Sequence, residues 1–217
     1  MTLVELMVAT TAGVVVMAGI TLAMIVTMRE TNRVASHVDA NQRARITMTK
    51  IINQLHSACV APQIAPVQED STGTLLSFLH QSGSAVAPVP VLSRISLTGT
   101  TLSQSDYAVT GGAAPKWTFA TTPSATVQLM TGVSAISASV PIFSYFAYAN
   151  GQVSPTPLGT PLLTNAVNAV QVDVAFETAP TKTVAGDANA GTEIQNSALL
   201  RLTPPAYDSA AANLPCQ

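Results

Sequence analysis

Charge is what this chain has least of. Only 9% of its 217 residues are Asp, Glu, Lys or Arg, and none of them lies between Leu6 and Met28. No basic residue precedes Arg29, whereas a secretory signal peptide needs a basic flank, a shorter apolar run and a small-residue cleavage site. The run therefore reads as an uncleaved membrane helix. As a helix, residues 6–28 reach about 35 Å at about 1.5 Å per residue, long enough to span a bilayer. One carboxylate, Glu5, sits at its start, and an ionised side chain at the centre of a membrane costs about 2.5–3.5 kcal/mol on insertion scales.

Catalytic and metal-binding patterns are also missing. The three histidines, His37, His56 and His80, are scattered, and none joins cysteines or carboxylates at metal-ligand spacing. No nucleophile elbow, P-loop or dinucleotide fingerprint occurs, which argues against an enzyme and calls for no cofactor. One string, "GDANAGTE", alternates Asp187, Asn189, Gly191 and Glu193 as oxygen ligands might. A calcium loop of the EF-hand kind wants Gly at its sixth position and an acid at its twelfth, but Gly191 falls one position early and Ala198 stands twelfth. A flexible hairpin loop is the better reading.

Cysteine is scarce too: Cys59 and Cys216 stand at the two ends of the head, the part of the chain beyond the helix. In a domain exported past a membrane an even pair points to a disulfide, here closing a loop long enough to stabilise the fold by about 5 kcal/mol at most. Two unrelated buried thiols are the alternative.

After Met28 the pattern turns amphipathic without a breaker. Val34, Val38, Ala44, Met48, Ile51, Ile52, Leu55 and Cys59 recur at helical spacing, and Pro62 ends the run. Arg29, Arg33, Arg43, Arg45 and Lys50 make this stalk basic, while the rest of the chain is mildly acidic. Short segments of β character occupy 74–80, 91–97, 116–120, 126–130 and 142–149. In "VNAVQVDVAFE", Val170, Val172, Val174 and Phe176 alternate with Gln171, Asp173, Ala175 and Glu177, the period of a half-buried strand. "SALLRLT" at 197–203 is its expected hairpin partner across a loop at 178–193. The expected fold class is α+β: a long N-terminal helix, apolar over 1–28 and amphipathic over 29–61, whose second half packs on an antiparallel sheet in a head of residues 62–217, ending in an irregular tail.

"TLVELMVATTAG" resembles the N-terminal segment of mature type IV pilins and the related pseudopilins, whose hallmark is a Glu at the fifth mature position of an otherwise apolar helix. "DANQRARITMTKIINQLHSA" is similar to the stalk helix of the larger, minor-pilin-like members, and "PIFSYFAYANG" with "SALLRLT" to their C-terminal sheet. The resemblance implies a leader peptide ending in Gly, removed by a prepilin peptidase that also methylates the new terminus. Met1 would then be the first mature residue, where Phe is commonest. It also implies a pilus assembly ATPase and an inner-membrane platform as partners, storage in the cytoplasmic membrane as a single-pass protein, and export into an extracellular homo-oligomeric filament. Pilins often carry Pro near position 22, where this chain has Leu22, so any local melting would rest on Gly13 and Gly19.

Within that resemblance Glu5 pairs with the positive N-terminus of a neighbouring subunit, an attraction of about 4 kcal/mol at 4 Å and an effective dielectric of 20. It would thus report whether the next subunit sits in register. The alternative is local: a carboxylate near the positive end of a helix, satisfied by free amides and the macrodipole. Ala9 and Gly13, then Gly19 and Ala23, are small residues four apart that let helix backbones approach. The expected function is a structural pilus subunit. A low-abundance minor pilin or type II secretion pseudopilin, and a single-pass membrane-anchored binding protein, are the alternatives. Basic residues cluster on the stalk and the head is acidic, which disfavours nucleic acid as a partner.

Overall fold

A computed structural model of the chain describes residues 2–59, 65–82, 89–113, 116–180 and 191–200. One helix, α1 (Leu3–His56), runs for 54 residues, about 80 Å at about 1.5 Å per residue. It stops before the expected Ala61 because Ser57 caps it and the chain then pairs with strand β1 (Leu75–Ser82). The Cys59 amide donates to the Leu79 carbonyl at 2.9 Å, and the Gln81 amide to the Ser57 carbonyl at 3.1 Å.

The head is α+β, but its antiparallel strands form two five-stranded sheets where a single sheet was expected. In the first, β1, β2 (Val89–Thr98), β3 (Thr101–Ala113) and β4 (Lys116–Phe119) are neighbours in that order, and β5 (Ala125–Thr131) pairs with the first half of β3. In the second, β10 (Thr192–Leu199), β9 (Ala169–Thr178), β7 (Phe143–Ala149) and β8 (Gln152–Val153) are neighbours, and β6 (Val133–Ser134) pairs with β9. Gly132 is the hinge between them. Its φ of +74° is open to glycine, and a Cβ there would lie 3.1 Å from the Ala179 carbonyl oxygen, so the chain turns from β5 into β6 and changes sheet.

The second half of α1 lies across both sheets, against β1 and β5 of one and β9 and β10 of the other. Ala44, Met48, Ile51, Ile52 and Leu55 of the expected stripe are buried, and Ala40 and Thr47 join them. Val34 and Val38, also expected on the stripe, stay 60% and 50% exposed, because the first buried position is Ala40 and the head does not reach farther down the helix. Opposite the stripe lie Leu76, Phe78, Ile95 and Leu102 of the first sheet and Phe143, Tyr145, Val172, Val174 and Phe176 of the second. Tyr145, fully buried, donates its hydroxyl to the Thr72 and Leu75 carbonyls, each at 3.0 Å, and so ties the second sheet to the start of the first. Burial raises the Tyr145 pKa, so the hydroxyl stays a donor. The other face of the first sheet carries a small cluster of Cys59, Leu79 and Leu92, flanked by Tyr107, Trp117 and Phe119.

The expected hairpin of β9 with its partner forms, but the partner begins at Thr192, earlier than 197, with Ala198 opposite Val172. Cys216 and the tail after Leu200 lie outside the described residues, as do Asp187 and Asn189 of the calcium-like string.

Candidate functional site

The N-terminal half of α1 packs against nothing else among the described residues. Every described residue from Thr2 to Ala35 is exposed, and an 18-residue stretch of the helix reaches a mean hydropathy of 2.1 with none of it buried. The helix is long and apolar enough to cross a membrane. Its threonines hide their polarity along the helix itself. Thr10 and Thr11 donate to the carbonyls of Leu6 and Met7 at 3.0 and 2.9 Å, and Thr21 and Thr27 to those of Met17 and Ala23 at 2.8 Å. Hydroxyls bonded in this way can enter an apolar medium without loss of a partner.

Glu5 closes the start of the helix. Thr2 is the N-cap, its hydroxyl accepting from the Glu5 amide at 3.4 Å, while Glu5 Oε2 accepts from the Thr2 amide at 3.1 Å. This reciprocal capping box satisfies two of the amides that every helix start leaves free, and it places the carboxylate at the positive end of the macrodipole. The local role of Glu5 is therefore present in the isolated chain; Met1 lies outside the described residues.

Ala9, Gly13, Gly19 and Ala23 lie on the bare helix, and a Cβ built at either glycine would meet nothing within 4 Å. With 3.6 residues per turn, Glu5 and these four positions fall within about 120° around the helix axis. The structure thus brings the carboxylate and the small residues to one side of an unpartnered apolar rod. Such a surface carries no nucleophile or acid–base pair; what it can do is pack against lipid or against other helices.

Cys59 is far from this end, fully buried behind β1 and disulfide-bonded. Cys216 is the other cysteine of the chain.

Inside the head, strand positions that gave no motif in the sequence converge on a polar network. His80 Nε2 lies 2.9 Å from Ser93 Oγ, and Ser93 donates to Asp106 Oδ1, which also accepts from Gln104 Nε2 at 2.8 Å. The residue types are those of a hydrolase triad, but the serine stands between the other two and is fully buried, so its proton is held by Asp106 and no nucleophile is presented. Burial lowers the His80 pKa, against the raising effects of the Gln81 carbonyl and the Asp106 charge. The sequence signal was partial: His80 and Ser93 lie within the stretches of β character at 74–80 and 91–97, whereas Gln104 and Asp106 lie in none. Among the described residues no three His, Cys, Asp or Glu come together as metal ligands.

The chain matches no protein-family model and no curated protein.

Proposed function

We propose that this chain is a structural subunit of a type IV pilus or pilus-like filament, its apolar half-helices bundled at the filament core and its β-rich heads on the surface. The observation that carries the reading is the apolar half of α1, which leaves the head as a continuous exposed rod whose only ionisable side chain up to Met28 is Glu5. Such a rod requires an apolar surrounding, and both lipid and copies of itself supply one. Assembly then exchanges lipid contacts for helix–helix contacts, with Ala9, Gly13, Gly19 and Ala23 allowing close approach and Glu5 meeting a neighbour's N-terminus. By its resemblance to pilins, the chain would be processed by a prepilin peptidase, held in the cytoplasmic membrane, and moved into an extracellular filament by an assembly ATPase and an inner-membrane platform.

One observation favours a second reading, a single-pass membrane anchor for a binding head: Glu5 already has a partner in its own chain, the Thr2 amide. Glu5→Gln separates the two, because Gln at the third helical position also completes a capping box but carries no charge. In cells that assemble filaments from this chain, the filament reading expects the substitution to cut incorporation by more than tenfold while the protein remains in the membrane fraction. Incorporation at the wild-type level would refute the charge-pairing role of Glu5.

A further inference from the structure

Leu163 costs the fold more than it returns. It opens the short 3-10 helix Leu163–Asn168 with φ +47°, in the left-handed region that suits glycine or asparagine and strains a bulky side chain. Its side chain is 58% exposed, so little burial offsets that strain. Val167 of the same helix is 49% exposed and borders one cleft with Glu69. The start of the helix is anchored: the Leu163 amide donates to the Glu69 carbonyl at 3.0 Å, and the Leu162 amide to the Ser71 carbonyl at 3.1 Å. The head thus presents a fixed apolar knob, Leu163 with Val167, and a carboxylate beside it. Glu69 is exposed and has no ion pair among the described residues.

A complementary surface lies on the stalk. Val34 and Val38 are exposed, because the head covers α1 only from Ala40 onward. With 3.6 residues per turn, Val34, Val38, Asn41 and Arg45 fall within about 60° around the helix axis. They form one stripe, an apolar pair followed by a cation. Arg45 Nε donates to Asn41 Oδ1 at 3.0 Å, which draws the guanidinium back along the helix toward Val38. Arg45 is exposed, and among the described residues no carboxylate pairs with it.

Both surfaces are uncovered within one chain, so a chain does not satisfy its own knob with its own stalk. Their chemistry is complementary: an apolar pair beside a carboxylate on the head, an apolar pair beside a guanidinium on the stalk. We infer that the Leu163–Val167 knob of one copy docks on the Val34–Val38 stripe of a second copy, with Glu69 pairing to Arg45. Because the two surfaces differ, each copy gives one such contact and receives another. A contact of this kind does not stop at a two-fold dimer but propagates from copy to copy. The inference deepens the filament reading and rests on it, since it names the part of the head that covers a neighbouring stalk.

The test uses the full chain in cells that assemble filaments from it. Leu163→Cys and Val38→Cys are combined in one chain, the cells are exposed to a mild oxidant, and sheared filaments are run on a non-reducing gel. A ladder of dimers, trimers and longer species is expected from the double variant, and none from either single variant. Dimers from Leu163→Cys alone would place knob against knob and overturn the pairing. Glu69→Lys and Arg45→Glu are each expected to cut incorporation into filaments by about threefold or more, and the two together to restore it. Leu163→Asn, which accepts left-handed backbone, should lower incorporation while the full chain in detergent unfolds at the same temperature or higher. A clear fall in that temperature would give the Leu163 side chain to the fold and overturn the inference. With wild-type and double-variant chains both recovered in sheared filaments, the absence of a ladder overturns this contact and leaves the filament reading standing. Equal incorporation of the wild type and both charge reversals does the same. Absence of the wild-type chain from filaments removes that reading, and this contact with it.

Discussion

Ile51 is the residue on which the seating of α1 can be measured. It is fully buried in the core shared by the helix and both sheets. Ile51→Ala removes three carbons from that position, and at about 0.8 kcal/mol for each buried carbon the transfer loss alone is about 2.4 kcal/mol. The space left between a helix and two sheets cannot close fully, which adds a cavity contribution, while the better helix propensity of Ala returns a few tenths of a kcal/mol. The expected destabilisation is about 3–4 kcal/mol. Ile46, five residues earlier and 69% exposed, is the control: Ile46→Ala should change stability by less than about 0.5 kcal/mol. The assay is urea unfolding of the full chain in a mild detergent that shields residues 3–28. The fluorescence of Trp117, the single tryptophan, reports unfolding from the far face of the first sheet. A loss below about 1 kcal/mol for Ile51→Ala, or equal losses at the two positions, would refute the packing of the second half-helix against the head.

The head carries three further expectations. Tyr145→Phe, which strips the buried hydroxyl from the Thr72 and Leu75 carbonyls, should cost about 1–3 kcal/mol in the same urea assay. Burial holds the His80 pKa below its ordinary 6.5, so the unfolded chain takes up the proton more readily. The His80 contribution is complete above about pH 6.5 and is lost as pH falls through the folded value, and His80→Gln should flatten that part of the thermal midpoint against pH. Cys59 is disulfide-bonded; native protein should take up no alkylating reagent until reduced, and reduction should lower stability by about 2–5 kcal/mol, both read by intact mass and unfolding midpoint.

How much of this was legible varies with how strongly each element is patterned. The long helix was, because a continuous apolar run and then a periodic stripe specify it without tertiary help, and so was β9, whose valines alternate cleanly. Strand β3 was not. It lies at the centre of the first sheet, yet of its core-facing residues only Leu102 is a large aliphatic, and Gln104 and Asp106 beside it are polar. The missed cue was the turn before it: Thr98 pairs with Thr101 across Gly99 and Thr100, with Gly99 at φ +61°, a two-residue hairpin connection that favours glycine at its first central position. The division into two sheets was hidden for a similar reason, since it depends on the backbone of Gly132 and not on any periodicity. The His80–Ser93–Asp106 network arises from cross-strand register, which the composition of single strands does not reveal. Glu5 was conspicuous as a lone carboxylate, and the structure adds its capping partner, Thr2.

The filament reading is decided by mass spectrometry of filaments sheared from cells that produce this chain, scored for the peptide that begins at Met1 and for the amount of the chain relative to other filament proteins. Recovery of the chain in the sheared filaments, with its terminus at a methylated Met1, is the predicted result. Recovery of all of it in the membrane fraction, with a terminus not processed at Met1 and none in the filaments, would contradict the reading and leave α1 as a membrane anchor.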